Sequence, residues 1–189
     1  MVGWLRLPPV HAISAASEIG DAPFLAALDA RLRAGATMVQ LREPGMDAAR
    51  FDALFREVRA CCERHGARLL VNSAHPASYW QAAGGVHLRA ADLMRLGRRP
   101  DLRWVGASCH DEAELARACA IEADYVLLGP VRATASHPGQ PGIGWQRFSE
   151  IAAPTSVPVY ALGGLADRDG PQARRAGAHG VALRSAAWR

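Results

Sequence analysis

The sequence predicts a (β/α)8 TIM barrel, a short one in a single domain over residues 1–189 with a truncated final helix. Two observations carry that class. Eight short apolar segments alternate with stretches of helical periodicity, which is the pattern of a parallel α/β protein. The carboxyl ends of these segments run into hydrogen-bonding side chains or glycine, at the end where a barrel keeps its chemistry. An open doubly wound sheet is the alternative on pattern alone, and the eightfold repetition favours closure. At 189 residues the chain is short beside the ~250 usual for this fold.

Residues 9–14 read as the first strand. The helix at 21–33 has Phe24, Leu25, Leu28 and Leu32 at helical spacing, and Gly35 stops it. The second strand, 37–42, ends in Gln40 and Arg42. Residues 47–65 are a long amphipathic helix capped by Asp47 and ended by Gly66. The third strand, 68–72, ends in Asn72-Ser73, and a short helix at 76–83 leads to the fourth strand, 85–88. That strand carries His87 and runs into Arg89 and Asp92, which opens a helical turn or two at 92–96. The fifth strand, 104–108, is followed by Cys109 and His110. A helix at 111–121 and the sixth strand, 124–128, come next. A loop rich in glycine and proline, 129–144, holds Thr134, Ser136 and His137. After a helix at 145–152, the seventh strand, 159–162, ends in Gly163-Gly164. Residues 172–176 belong to another helix, and the eighth strand, 179–183, ends in Arg184-Ser185.

Two glycines after a strand let the backbone approach a ligand and turn its N–H groups toward it. Beside Arg184 and Ser185 they have the composition of a phosphate cup in the last quarter of a barrel. Gly164→Asp is expected to abolish phosphate binding and leave the fold. Only five residues follow Arg184, so a normal eighth helix is missing, and a second copy of the chain or the N-terminal segment is expected to cover that side.

Composition narrows the function. Half the residues are apolar and about a fifth are charged, which suits a globular chain. No apolar run approaches the ~20 residues of a membrane span, and the N-terminus lacks a signal-peptide core, so a cytoplasmic protein with no membrane partner is expected. Cys61, Cys62, Cys109 and Cys119 form no Cys-x-x-Cys pair and read as reduced thiols. All 22 basic residues are arginine, which rules out a lysine Schiff base. The arginines lie scattered over the helices rather than in a block. That argues against nucleic acid and for a phosphorylated small molecule. Cys109 and His110 are neighbours on a strand and point to opposite faces, so they make no nucleophile–base pair. Plain structural roles stand beside the chemical ones: His87 as a core histidine, His110 in a helix-cap region, Asp92 as a cap.

Eight motifs stand in order: Val39-Gln-Leu-Arg-Glu43, Leu70-Val-Asn72, Gly85-Val-His-Leu88 with Asp92, Gly106-Ala-Ser-Cys-His110, Ala123 through Pro130, Thr134 in its loop, Pro158 through Gly164, and Gly177 through Val181. In them the chain resembles the thiamin-phosphate synthase/TenI-like family of barrels over nearly its whole length, and in particular barrel modules fused behind MutT-type Nudix hydrolases. No Nudix motif occurs in these residues, so the resemblance implies such a partner as a separate or removed module.

The resemblance implies a transferase of thiamin biosynthesis or salvage, joining an aminopyrimidine pyrophosphate to a thiazole phosphate. The chemistry is dissociative: pyrophosphate leaves, a pyrimidine carbocation forms, and the thiazole nitrogen captures it. Roughly two or three negative charges must be held on the leaving group, which implies Mg²⁺ and surrounding cations. By the same resemblance Gln40, Arg42 and Asn72 face the pyrimidine and pyrophosphate, and Asp92 binds Mg²⁺. Ser108 and Thr134 line the substrates with Ser136 beside them. Gly163, Gly164 and Ser185 hold the thiazole phosphate, with Arg184 adjoining. Arg42, Ser108 and His137 are the candidate catalytic groups, and Arg89 and His110 join the substrate-binding set. A homodimer is the expected assembly.

The chain also departs from the family. Arg-Glu-Lys reads Arg42-Glu43-Pro44, Asn-Asp reads Asn72-Ser73, Thr-x-Thr-Lys reads Thr134-Ala135-Ser136-His137, and a glycine reads Arg89. Two lysines and one metal carboxylate are thereby lost, and a hydroxyl is a poorer Mg²⁺ ligand because it carries no charge. The tautomerase branch of the family uses a histidine where Pro130 stands, leaving His110 or His137 to serve instead. A tautomerase or hydrolase acting on thiamin-type phosphates, and a barrel that only binds one, are the alternative functions.

Overall fold

The computed structural model describes residues 7–134 and 141–189. Its strands are β1 (Val10–Ile13), β2 (Met38–Leu41), β3 (Arg68–Asn72), β4 (Gly85–Leu88), β5 (Trp104–Cys109), β6 (Tyr125–Leu128), β7 (Val159–Leu162) and β8 (Gly180–Leu183). They pair in sequence order, all parallel, and β8 closes on β1, with Val10 opposite Val181 and Ala12 opposite Leu183. The expected barrel is therefore the observed one. Between the strands lie α1 (Ala16–Ile19), α2 (Asp21–Arg33), α3 (Ala48–Arg64), α4 (Ala77–Ala83), α5 (Ala90–Arg95), α6 (Glu112–Ala120), α7 (Gly144–Ala152) and α8 (Gly170–Arg175). Asp47 caps α3 by accepting from the Arg50 N–H at 2.9 Å, as its position suggests. Among the described residues no helix is long and apolar enough to cross a membrane.

Each strand buries both faces, as a parallel barrel requires. The outward side chains pack under the helices, Phe24, Leu28, Phe51 and Val58 on one side and Phe148, Ile151 and Leu115 on the other. The inward set fills the bore with Met38, Leu70, Tyr125, Leu127 and Tyr160. Tyr125 fits because its neighbour Gly106 has no side chain: a Cβ there would lie 2.1 Å from the Tyr125 ring. The amino-terminal end is plugged by residues 7–9. Leu7 joins the interior cluster, the Pro8 carbonyl accepts from the Tyr160 hydroxyl at 2.6 Å, and the Pro9 carbonyl accepts from the Val181 N–H at 3.0 Å.

The missing eighth helix is replaced from within the chain. Residues Ser185–Trp188 form a 3-10 turn; Trp188 lies edge-on to Phe24 at 4.9 Å and donates its indole N–H to the Ile13 carbonyl at 2.8 Å. The one-turn helix α1 has no signature in the sequence, because its cap comes from far away. The buried Glu43 carboxylate accepts from the N–H groups of Ala16 at 2.8 Å and Ser17 at 2.9 Å.

Gly106→Ala should lower stability by about 1–3 kcal/mol through overpacking against Tyr125. In a Tyr125→Leu background the same change should cost far less. Equal losses in both backgrounds, measured by urea denaturation, would show that the contact does not govern this site.

Candidate functional site

The carboxyl ends of the strands surround a cleft of about 880 Å³. Three arginines at strand ends line it, Arg42 after β2, Arg89 after β4 and Arg184 after β8, and Arg189 lines it as well. Arg42 is partly buried. Its backbone is pinned by Ser14, whose hydroxyl accepts from the Arg42 N–H at 2.8 Å and donates to its carbonyl at 3.2 Å. Burial holds the Arg42 pKa below its usual value, and the positive charges of Arg184 and Arg89 push the same way. Among the described residues no carboxylate pairs with Arg42. The other two arginines are anchored: Arg184 by Glu18 at 2.8 Å, and Arg89 by Asp92 at 2.6 Å.

Beneath the arginines, two buried hydrogen-bond chains form the cleft floor. In one, the Ala74 N–H donates to Asn72 Oδ1 at 3.1 Å, which fixes the Asn72 amide. Asn72 Nδ2 then donates to Gln40 Oε1 at 3.0 Å, so Gln40 Nε2 faces His11 Nε2 at 3.3 Å as donor. His11 therefore carries its proton on Nδ1, which has no partner among the described residues. Burial lowers the His11 pKa to about 3. In the second chain, Tyr125 and His87 Nδ1 lie 3.0 Å apart, and His87 Nε2 and Ser108 Oγ 2.8 Å apart. The buried Tyr125 O–H has no other acceptor among the described residues, so it donates to His87. His87 Nε2–H then donates to Ser108, and the Ser108 proton is free to point into the cleft. Burial, aided by His11 and Arg42, keeps the His87 pKa well below its usual value. His87 thus takes both of its readings: a satisfied core ring that also orients a cleft hydroxyl.

Asp92 does not line the cleft, whereas Arg89 does. Asp92 Oδ2 accepts from Arg89 Nε and from the Ser73 hydroxyl, both at 2.6 Å, and Oδ1 accepts from Arg89 Nη2 at 3.1 Å. The Ser73 oxygen also accepts from the Arg89 N–H at 2.9 Å. These bonds hold the Asp92 pKa below its ordinary value, with Arg89 the largest cause. This donor set does not fit the Mg²⁺ expected at Asp92. Both carboxylate oxygens already accept hydrogen bonds, a fixed guanidinium stands on the cleft side, and the side-chain oxygen that shares the network, that of Ser73, is an uncharged hydroxyl. Among the described residues the one cluster of three metal-ligating side chains is Asp29, Cys61 and His65, between α2 and α3 outside the barrel.

The glycine pair is placed as expected, with φ of +108° at Gly163 and +64° at Gly164. Among the described residues the Gly164 N–H has no acceptor. Both glycines also support the loop after β6. A Cβ at Gly163 would lie 2.6 Å from Pro130, and one at Gly164 would lie 2.8 Å from Arg132. Gly164→Asp would therefore disturb that loop as well as the cup, contrary to the expectation that it leaves the fold. Ser185 lies at the cleft, where its hydroxyl donates to Glu18 at 2.6 Å. Thr134 lines the cleft with a buried hydroxyl that has no partner among the described residues. His110 is at the rim, its ring Nδ1 2.8 Å from Glu114, beside the cap of α6. Cys109 packs into the outer core, and burial raises its pKa, which fits no nucleophilic role. Ser136 and His137 lie outside the described residues.

Sequence reasoning missed His11, Tyr125, Glu18 and Glu43. The first two alternate inward on their strands, a signal that was available. The two glutamates act across long stretches of chain and leave no local pattern.

A family profile described as thiamine monophosphate synthase matches residues 10–187. A thiamine-phosphate synthase of Thioalkalivibrio sulfidiphilus is 33% identical, over 94% of this chain and 86% of that one. A thiamine-phosphate synthase of Thermobifida fusca is 37% identical over 80% of this chain and 72% of that one. The solved thiamine phosphate pyrophosphorylase of Pyrococcus furiosus superposes with a TM-score of 0.74 at 22% identity, covering 93% of this chain and 85% of that one, and so shares the fold.

His11 and His87 are neutral when folded and protonate near 6.5 when unfolded. Their stabilisation is complete above pH 6.5 and is lost as the pH falls toward their folded values. Unfolding should take up protons below that point, each ring lowering stability by about 1.4 kcal/mol per pH unit. Urea midpoints measured between neutral pH and mild acid should show this slope, and His11→Gln should remove one ring's share.

Proposed function

The chain belongs to the thiamine monophosphate synthase family, and on that premise we propose that it joins an aminopyrimidine diphosphate to a thiazole phosphate. The products are thiamin phosphate and free diphosphate. One observation supports this most: Arg42, unpaired among the described residues, faces the same cleft as Arg89 and Arg184 above a floor of neutral hydrogen-bond donors. Arg42, whose charge is disfavoured by burial and by Arg184 and Arg89, is relieved by a polyanion, and a departing diphosphate is one.

In this reading the C–O bond between the pyrimidine methylene and the diphosphate breaks, and its electron pair stays on the diphosphate oxygen. Arg42 holds the developing charge at closest range. Planar guanidinium N–H groups match phosphate oxygens, and charge-assisted bonds of this kind are the strong ones. Asn72 and Gln40, locked by their own chain, position the pyrimidine. The Ser108 hydroxyl, its proton turned outward by His87, donates to the leaving group. The thiazole nitrogen then captures the carbocation. Its phosphate rests on the Gly163-Gly164 backbone and Ser185, which must first leave Glu18. Thr134 adds its hydroxyl to the lining of the same cleft. The resemblance brings Mg²⁺ with it, but the atoms about Asp92 do not fit the ion, and no step here is routed through it.

The reading is tested by incubating the purified protein with both substrates and following thiamin phosphate and diphosphate together. Equal release of the two is expected. Arg42→Ala should lower kcat/KM by roughly a hundredfold, the order lost when a charge-stabilising donor is removed, while Arg42→Lys recovers part of it. Substrate binding without turnover would replace this reading with that of a binding barrel. Turnover without diphosphate release would point to the tautomerase or hydrolase class.

A further inference from the structure

We propose that the Arg89 guanidinium, clamped from behind by Asp92 and Ser73, stands in for a divalent metal ion, so that this cleft holds a diphosphate without Mg²⁺. The inference rests on the synthase reading for its substrate and goes beyond it in the way the charge is held.

The geometry carries it. Asp92 takes Nε–H and one Nη2–H of Arg89, at 2.6 and 3.1 Å. A guanidinium has five N–H donors, so the Nη1 edge remains, and it has no partner among the described residues. The Ser73 hydroxyl is engaged in the same network, receiving the Arg89 N–H and donating to Asp92. It thus ties together the end of β3, the start of α5 and the arginine. Arg89 lines the cleft and Asp92 does not, so of this pair it is the arginine that a ligand in the cleft would meet. In a divalent-metal site the carboxylates hold the cation against the phosphate. Here one carboxylate holds a covalently attached cation in the same sense.

For Asp92 to ligate Mg²⁺ it would have to give up a bidentate ion pair and bring a dication against Arg89. Arg42 and Arg184 face the same cleft and add to that repulsion. The two substitutions belong together physically. Serine at position 73 removes the second carboxylate and supplies the hydroxyl that braces the pair, and arginine at position 89 supplies the charge.

The test is calorimetric titration of the metal-stripped protein with inorganic diphosphate, in excess EDTA and again in millimolar Mg²⁺. The affinity in EDTA should equal or exceed that in Mg²⁺, because the ion complexes free diphosphate and gains nothing at the site. Arg89→Ala should weaken binding in EDTA by about ten- to a hundredfold, the value of one charge-assisted contact. Arg89 is half-exposed, so this variant should fold, and circular dichroism checks that it does. Ser73→Asp combined with Arg89→Gly should make binding Mg²⁺-dependent. The proposal is overturned if Mg²⁺ raises the native affinity tenfold or more, if Arg89→Ala binds as the native chain does, or if diphosphate does not bind in either buffer.

Turnover separates this proposal from the synthase reading. Metal-independent diphosphate binding without thiamin phosphate formation would defeat that reading and leave the guanidinium site standing. Thiamin phosphate formation only with Mg²⁺ would do the reverse.

Discussion

Tyr125 enters the bore through the space that Gly106 leaves open, and much of the mouth above is built on that contact. The phenol's one acceptor sets the proton on His87, and His87 in turn sets the direction of the Ser108 hydroxyl. The His11 ring lies 5.1 Å from Tyr125 and 5.9 Å from Tyr160, and both imidazoles are buried. Neutral histidines are the consequence. A floor without charge lets the field of the arginines above act on the ligand rather than be spent on groups below.

The mouth is cationic but not uniformly so. Glu18 holds Arg184 and Ser185, Asp92 holds Arg89, and Arg42 makes no contact ion pair among the described residues. Glu18 occupies the corner of the cleft beside Ser185, and it arrives there on a one-turn helix capped by Glu43. The second residue of the Arg42-Glu43 pair is thus a fold element, although the two adjoin in the motif. Its carboxylate organises the helix that carries Glu18, while its neighbour reaches the cleft.

The strands, their order and the glycine pair were all legible in the sequence, because each rests on a local rule: apolar segments of strand length, helical spacing between them, and glycine where φ turns positive. The cleft-facing positions of Arg42, Asn72, Ser108 and Arg184 followed from their place at strand ends. What a carboxylate is bonded to did not follow. Asp92 reads as a metal ligand by its motif, and only the approach of Arg89 and Ser73 shows that its oxygens are taken. The cover over the missing helix was equally hidden, since Trp188 reaches Phe24 across most of the chain.

By itself, then, the sequence determined a parallel eight-stranded barrel, a lysine-free cationic character, and the family to which the chain belongs. These depend on period, composition and motif order, all of which are written along the chain. The tertiary structure alone decided the protonation of the floor, the second duty of the glycine pair under the loop after β6, and the bonding of the Asp92 carboxylate to Arg89 and Ser73. Those are properties of groups that meet in space from distant positions, and hydrogen-bond partnership at 2.6–3.3 Å has no counterpart in sequence spacing.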